Sequence, residues 1–179
     1  MYLIFSCSLR SISRSYLLAK QAFEEIKNRG EEAELVDLRD WELPYCDGES
    51  TGNHEQVLKL EKKIRAAKGI LISAPIYNFD MNALSRGLAE LTAGAWEGKL
   101  VGLLCAAGGK GSYMAPMGLA NSLLLHYHCF ILPRIVYGTE AQFEGDSISD
   151  PELHKRVLEQ VDMLLDVGTK LRGAPVNKE

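Results

Sequence analysis

A serine- and arginine-rich segment near the start of the chain carries the residue types that bind phosphate. Residues 7–15 read CSLRSISRS and lead directly into a stretch with helical periodicity. Hydroxyl groups donate hydrogen bonds to phosphate oxygens, arginine adds charge-assisted bonds, and the N-terminus of a helix favours an anion. The segment therefore predicts a phosphate site without a lysine or a magnesium ligand. The alternative is that Ser11 or Ser13 only caps the helix.

Two later segments have the composition of a contact surface for a flat heterocycle. Residues 75–79 read PIYNF, which combines a turn-forming proline with two aromatic rings and an amide. Residues 106–113 read AAGGKGSY, and the glycines among them let a backbone approach a ligand closely. Each segment also has a simpler interpretation, either a turn whose aromatic side chains cover the core or a glycine-rich turn without a ligand.

The same glycines do not complete a nucleotide-binding motif. A Walker loop requires glycine at the position of Leu104 and serine or threonine at that of Gly111, and a dinucleotide fingerprint requires glycine or alanine at that of Met114. The pattern does not support ATP or GTP hydrolysis and disfavours a Rossmann domain, whose fingerprint belongs in the first turn. His126 and His128 are one residue apart and diverge on a helix, so we expect no metal site.

Short apolar runs rich in Ile, Val and Leu alternate with segments of helical periodicity. The predicted strands are residues 2–7, 33–38, 69–74, 100–106 and 130–137. Because these runs are continuously hydrophobic, they predict a parallel sheet covered by helices. Five strands and five helices in alternation predict a three-layer, doubly wound α/β fold with the flavodoxin-like strand order 2-1-3-4-5. Ligands bind such sheets beyond the carboxyl ends of the strands, where all three segments begin.

Helix signals predict both ends of the first helix and the start of the last. The first is predicted over residues 13–29 and ends at Gly30, a left-handed C-terminal cap. Its inward-facing side chains are predicted to be Tyr16, Ala19, Phe23 and Ile26. The last helix is predicted to begin with Asp150 as N-cap and Pro151 in the first turn.

The 179 residues have the length of one domain, predicted over residues 1–171 and followed by a disordered tail over residues 172–179. A net charge of −4 offers no broad basic surface, so we expect no nucleic-acid partner. The cysteines have no metal-site spacing and predict reduced, inert thiols. The chain has no apolar segment long enough for a membrane span or a signal peptide, which predicts a cytoplasmic protein without a membrane partner.

Together, the three segments resemble the NADPH-dependent FMN reductase family of flavodoxin-like proteins, including its alkanesulfonate-system FMN reductases, over roughly residues 1–143. The family's first loop reads G-S-x-R-x-x-S-x-[SN], with Cys7 here in place of the glycine. The residues that match it, and that the resemblance assigns to the FMN phosphate, are Ser8, Arg10, Ser13 and Ser15. The family's P-E-Y-N loop appears as residues 75–78, with isoleucine in place of glutamate, and is implied to line the isoalloxazine ring.

The resemblance implies FMN as cofactor, NADPH or NADH as hydride donor, and a second acceptor such as free flavin, a quinone, an azo compound or a metal oxyanion. Because the cofactor performs this chemistry, no side chain is predicted to be a catalytic acid or base. We hypothesise that backbone N–H groups of residues 108–111 donate toward the pyrimidine edge of the ring, with Lys110 strengthening the field. The predicted cofactor-binding residues are Ser8, Arg10, Ser13, Ser15, Pro75, Ile76, Tyr77, Asn78, Phe79, Gly108, Gly109, Lys110 and Gly111.

Two other functions stay open on the same fold. A one-electron carrier of the flavodoxin kind would hold flavin without oxidising NAD(P)H, although such carriers are usually more acidic than a net charge of −4. A flavin-free interaction module would keep the fold without the site. The family resemblance also implies assembly as a homodimer or homotetramer.

Overall fold

The apolar runs of the sequence form the strands of one central sheet in the computed structural model, which describes residues 1–173. The strands of this sheet are β1 (Tyr2–Ser6), β2 (Ala33–Asp37), β3 (Ile70–Tyr77), β4 (Asp80–Met81), β5 (Leu100–Ala107), β6 (Phe130–Ile131) and β7 (Val136–Thr139). Two further strands, β8 (Phe143–Glu144) and β9 (Ser147–Ile148), form a separate two-stranded sheet. The order is β2, β1, β3, β5, and both β6 and β7 pair with β5 in parallel. This confirms the flavodoxin-like order 2-1-3-4-5, with β6 and β7 together in the place of the fifth strand.

Two strands differ from the sequence-based expectation. The fifth is interrupted at residues 132–135, because Pro133 has no backbone N–H to donate and Arg134 has a φ of 63°. The third extends beyond residue 74 to Tyr77 and folds back as β4, so Pro75 lies within a strand instead of opening a turn. A short hairpin of β8 and β9, which hydrophobic periodicity did not indicate, follows β7.

Helices cover both faces of the sheet. They are α1 (Arg14–Asn28), α2 (Glu55–Ala66), α3 (Ala83–Leu91), α4 (Met117–Leu125) and α5 (Pro151–Gly173). α1 and α5 pack on one face, and α2, α3 and α4 pack on the other. Because side chains alternate along a strand, β1 contributes Leu3 and Phe5 to one core and Tyr2 and Ile4 to the other. Among residues 1–173, no helix combines the length and the apolar character needed to span a membrane.

The ends of α1 follow the sequence signals. Ser13 is the N-cap, and Gly30 closes the C-terminus with a φ of 78° while its N–H donates to the carbonyl oxygen of Lys27 at 2.9 Å. The buried side chains of α1 are Ser15, Leu18, Ala19, Ala22 and Ile26. Tyr16 and Phe23, which we expected to face inward, are only half-buried because the buried stripe is centred on the smaller residues beside them.

The last helix begins as predicted and extends into the segment predicted to be a disordered tail. Asp150 caps α5 by accepting the N–H of Leu153 at 2.6 Å. The helix continues to Gly173, so the first two residues of the predicted disordered tail, 172 and 173, are helical. The remainder of that tail, residues 174–179, lies outside the described residues.

The four cysteines are free thiols, and three of them are buried. Burial raises the pKa of the Cys7 and Cys105 thiols far above the ordinary value for cysteine, and it raises the pKa of Cys129 to about 11. Only Cys46 is exposed. Because the thiolate is the reactive form, we expect the three buried thiols to react slowly at neutral pH.

We therefore expect one thiol per folded chain, that of Cys46, to react rapidly with a chromogenic thiol reagent near neutral pH. All four should react once the protein is denatured. Cys46→Ser should abolish this rapid reaction without changing the slower reaction of the three buried thiols. A second rapidly reacting thiol in the folded protein would contradict the burial of the other three.

Candidate cofactor site

The carboxyl ends of β1, β3 and β5 bring the three predicted segments to one cleft of about 330 Å³, within the size range of small-molecule sites. The predicted residues that line it are Ser8, Arg10, Ser13, Ser15, Pro75, Ile76, Tyr77 and Gly108. Asn78, Phe79, Gly109 and Gly111 lie outside this lining, and Lys110 lines a neighbouring recess. All three segments thus meet at one site, as the predicted strand order requires.

The first wall of the cleft is the loop between β1 and α1, whose hydroxyl groups surround the start of the helix. Ser13 Oγ accepts the N–H of Tyr16 at 3.3 Å and lies 3.0 Å from Ser15 Oγ. Ser8 Oγ accepts the N–H of Arg10 at 3.4 Å. Each hydroxyl has one proton to donate, so Ser8 and one of the two paired serines can still donate to a ligand. Ser13 is thus both the N-cap of α1 and a residue of the cleft lining.

A second arginine fixes the backbone of this loop. Arg39 donates to the carbonyl oxygens of Arg10 at 3.4 Å and Ser11 at 3.0 Å, and Asp37 holds it at 2.5 and 2.9 Å. The hydrogen bond to Asp37 raises the pKa of Arg39 and keeps its guanidinium charged. The guanidinium of Arg10 is exposed and has no ion pair in the described part of the chain, so it is available to an anion in the cleft. No sequence motif identifies Arg39. The strand order nevertheless places the end of β2, which Arg39 follows, beside the end of β1, where the first loop begins.

Buried hydrogen bonds join the first wall to the second. Asn82, the N-cap of α3, donates from Nδ2 to the carbonyl oxygen of Cys7 at 2.5 Å and accepts the N–H of Ser85 at 3.3 Å. Ser73 of β3 donates to the carbonyl oxygen of Ser15 at 2.6 Å. The first loop therefore cannot shift relative to β3 without breaking buried bonds. The only sequence signal for Asn82 is its place before an apolar helical stripe, a typical N-cap position.

The second wall is the hairpin of β3 and β4. Asn78 and Phe79, at the centre of its turn, both have positive φ, 51° and 61°, as a type I′ turn requires. Phe79 is 75% exposed and Tyr77, which lines the cleft, is 48% exposed, whereas Pro75 and Ile76 are buried. The two aromatic rings are thus open to solvent instead of covering the core, which removes the simpler interpretation of this segment.

The third wall begins where β5 ends, with Gly108 in the cleft lining. Tyr137 of β7 holds the following residues, because its hydroxyl donates to the carbonyl oxygen of Gly109 at 2.7 Å and accepts from the Ser112 hydroxyl at 2.7 Å. A Cβ atom at Gly108, Gly109 or Gly111 would meet no protein atom within 4 Å, and none of the three has positive φ. The fold itself does not need glycine at these positions, and the space beside the loop is open.

Six lining residues were not among the predicted cofactor-binding residues: Ile12, Arg14, Leu17, Ala106, Ala107 and Gly145. Arg14, the first residue of α1, lines the cleft and forms a close ion pair with Glu140, which partly neutralises its charge. Gly145, in the turn between β8 and β9, lines the cleft with a φ of 54°. No local pattern identifies Gly145, because only the packing of the hairpin against the rest of the fold brings it to the cleft.

The donor groups fit a ligand with a phosphate at one end and a flat ring at the other. The first wall offers hydroxyl protons, an unpaired guanidinium and the unpaired N–H groups at the start of a 15-residue helix. The other two walls offer buried apolar atoms, one exposed tyrosine ring and the open space beside the glycines. No group of three or more His, Cys, Asp or Glu side chains suited to a metal ion occurs within residues 1–173. FMN has the required distribution of charge and flat surface.

Comparisons with known proteins agree with this chemistry. The sequence matches the family described as NADPH-dependent FMN reductase over residues 2–143. A curated relative, the NADPH azoreductase of Bacillus sp. (strain OY1-2), is 33% identical over 147 residues, which cover 80% of this chain and 76% of the relative. The family match includes all three predicted segments.

Solved structures share the fold. FerB, a flavoenzyme NAD(P)H:(acceptor) oxidoreductase from Paracoccus denitrificans, has a TM-score of 0.77 at 23% identity, with 94% of this chain and 97% of that chain covered. RosB, solved with bound 8-demethyl-8-formylriboflavin-5′-phosphate, has a TM-score of 0.77 at 20% identity, with 97% and 81% covered. At these identities the likeness shows the flavodoxin-like fold alone. Because the family match covers residues 2–143, the chain belongs to the NADPH-dependent FMN reductase family.

Proposed function

We propose that this NAD(P)H-dependent FMN oxidoreductase holds the phosphate of FMN on the loop between β1 and α1 and places the flavin ring across residues 75–77 and Gly108. The observation that carries the proposal is the convergence of free hydroxyl donors and the unpaired Arg10 at the start of α1, within one cleft. When bound, FMN supplies the group that accepts a hydride from NAD(P)H and passes the electrons to a second acceptor.

The residues of the first wall bind the phosphate as a set. Arg10 supplies charge, and Ser8, Ser13 and Ser15 supply short hydrogen bonds beside the positive end of the α1 dipole. Arg39 and Asn82 keep the loop backbone in place before any ligand arrives. Preorganised donors lose less entropy on binding, which favours affinity for a ligand of this shape.

The third wall orients the ring. In this proposal, backbone N–H groups of residues 108–111 donate to the pyrimidine edge, where negative charge grows on reduction. The Tyr137 hydroxyl limits the motion of this loop through its bond to Gly109. Contacts of Asn78, Phe79, Gly109 and Gly111 with the cofactor stay predictions, because these residues lie outside the cleft lining.

The acceptor is a small molecule, and we propose an aromatic azo compound. Support comes from the 33% identical relative named NADPH azoreductase and from the solvent-exposed rings of Tyr77 and Phe79 beside the cleft. The balanced reaction consumes one NADPH, one proton and one azo compound, and it yields NADP⁺ and the hydrazo compound. Quinones and free flavin are the alternative acceptors. Comparing the turnover rates with an azo compound, a quinone and free flavin decides between these three acceptor classes.

Assembly and location are also part of the proposal. A homodimer or homotetramer is supported by apolar side chains that α4 leaves 51% and 66% exposed, Leu124 and Leu125. A cytoplasmic location is supported by the free thiols, since a reducing compartment keeps cysteines unpaired. Light scattering of the purified protein measures the oligomeric state directly.

Anaerobic mixing tests the assigned function. The purified protein is titrated with FMN, and the complex is then mixed with NADPH or NADH while the flavin absorbance near its visible maximum is recorded. We expect rapid bleaching and recovery of colour when the acceptor is added. Bound flavin that is not bleached would indicate the one-electron carrier, and failure to bind FMN would indicate the flavin-free interaction module.

Gly108→Ala is expected to weaken FMN binding about tenfold without destabilising the fold. A methyl group at this position meets no protein atom but occupies the space assigned to the ring. The free energy of unfolding should stay constant or rise by about 0.4–1 kcal/mol, because alanine restricts the unfolded chain. The matched control is Gly52→Ala, whose Cβ also meets nothing and which lies away from the cleft. Equal FMN affinities for the two variants would contradict the placement of the ring.

A further inference from the structure

A second recess adjoins the cofactor cleft along the third wall. It has a volume of about 610 Å³ and is lined by the far end of the third segment, β7 and the first turns of α5. Lys110 and Tyr113 of the third segment line this recess, whereas Gly108 of the same segment lines the cofactor cleft. A long ligand bound in the cleft can therefore extend across the loop into the adjacent recess.

The adjacent recess contains an arginine that the protein does not neutralise. Among the arginines whose side chains the structure describes, every one except Arg10 and Arg156 forms an ion pair. Arg10 lines the cofactor cleft and Arg156 lines the adjacent recess, together with Lys110, which also makes no ion pair within residues 1–173. In a chain with more carboxylates than basic side chains, two cations that form no ion pair in one recess favour an external anion.

The carboxylates near these cations do not cancel them. Asp150 lines the recess and caps α5, with its Oδ1 accepting the N–H of Leu153 at 2.6 Å, so a single carboxylate stands against the two cations of the recess. Glu152 precedes Arg156 by about one turn of the same helix, but the two side chains, both within the described residues, do not form an ion pair. The recess thus retains a net positive charge.

The recess also offers an aromatic surface. Tyr113 is 57% exposed, and its ring packs edge-on against the Tyr137 ring with 5.4 Å between centroids. Tyr137 is itself held by its hydrogen bonds to the third wall, so the pair presents a fixed surface. A flat heterocycle can stack on such a ring while a phosphate on the same ligand reaches the two cations.

We propose that the adjacent recess binds the adenosine 2′-phosphate end of NADPH, with Arg156 and Lys110 contacting the 2′-phosphate and Tyr113 contacting the adenine. The proposal rests on the proposed function, because the nicotinamide end must reach the ring in the cofactor cleft. NADPH differs from NADH only in this phosphate, and arginine is the side chain that accommodates it in other NADP sites. Arg156 is thus a specificity residue for the choice between the two coenzymes.

Binding of adenosine 2′,5′-bisphosphate to the FMN-free protein, measured by titration calorimetry, tests the proposal without turnover. We expect the wild-type protein to bind it about tenfold more tightly than adenosine 5′-monophosphate, and Arg156→Ala to bind both nucleotides with similar, weak affinity. The matched control is Lys155→Ala, which removes one positive charge from the same turn of α5 but whose ammonium pairs with Glu159 outside the recess.

Steady-state kinetics gives the second readout. The ratio of kcat/KM for NADPH to that for NADH should fall about tenfold in Arg156→Ala and stay at the wild-type value in Lys155→Ala. An unchanged ratio together with unchanged bisphosphate affinity in Arg156→Ala would overturn the proposal. FMN titration distinguishes a failure of this proposal from a failure of the proposed function. If only the 2′-phosphate site is wrongly assigned, FMN still binds through its phosphate contacts at Arg10.

Discussion

Arg10→Ala should weaken FMN binding by about 10- to 100-fold and leave the free energy of unfolding within about 0.5 kcal/mol of the wild-type value. A hydrogen bond to a charged group contributes about 1.5–3 kcal/mol, and each 1.4 kcal/mol changes affinity tenfold. The Arg10 side chain is exposed and has no hydrogen bond or ion pair within the described residues, so the fold loses no contact. Titration of flavin-free protein, followed by flavin fluorescence, measures the affinity.

Riboflavin and a second arginine variant provide the controls for this prediction. Riboflavin lacks the phosphate, so the wild-type protein should prefer FMN strongly and Arg10→Ala should keep only a small preference. Arg134→Ala removes an arginine that pairs with Glu159 away from the cleft, and it should bind FMN like the wild type. If Arg10→Ala bound FMN with wild-type affinity, the phosphate would have to lie elsewhere.

Asn82→Ala should destabilise the fold by about 2–4 kcal/mol, the largest stability change that we expect from a residue near the site. Loss of the N-cap of α3 costs about 1 kcal/mol, and the buried carbonyl oxygen of Cys7 left without its donor costs about 1–3 kcal/mol more. The first wall is also released from the second, so FMN affinity should fall together with stability. Urea unfolding of the flavin-free protein measures the change.

Two further variants separate the two roles of Asn82. Asn82→Ser keeps a side chain that caps α3 but cannot reach Cys7, and it should recover about 1 kcal/mol relative to Asn82→Ala. Asn121→Ala replaces an exposed asparagine of α4 and should change stability by less than about 0.5 kcal/mol. An Asn82→Ala protein as stable as the Asn121→Ala protein would show that the link to Cys7 contributes nothing.

The position of the cleft was predictable because it depends on topology more than on side-chain detail. Continuous apolar runs indicated parallel strands, and parallel strands place the residues after β1, β3 and β5 at one edge of the sheet. The cap at Ser13 and the turn at Gly30 were readable because each has a local cause, a hydroxyl beside a free N–H and a glycine at positive φ.

The details of the walls depend on tertiary contacts that carry no local pattern. PIYNF was read as a turn opened by Pro75, but pairing with β5 keeps Pro75 in the strand and moves the turn to Asn78 and Phe79. Gly145 reaches the cleft only through the β8–β9 hairpin, and the support that Arg39 gives to the first loop requires the neighbouring strand. Propensity and periodicity describe single segments and therefore do not report such contacts.

A crystal structure of the protein grown with FMN tests the central assignment most directly. We expect the phosphate within hydrogen-bonding distance of Arg10, Ser8 and the first N–H groups of α1, and the ring across residues 75–77 beside Gly108. An FMN phosphate bound anywhere other than the loop between β1 and α1, or a cleft closed by the protein's own side chains at saturating FMN, would contradict it.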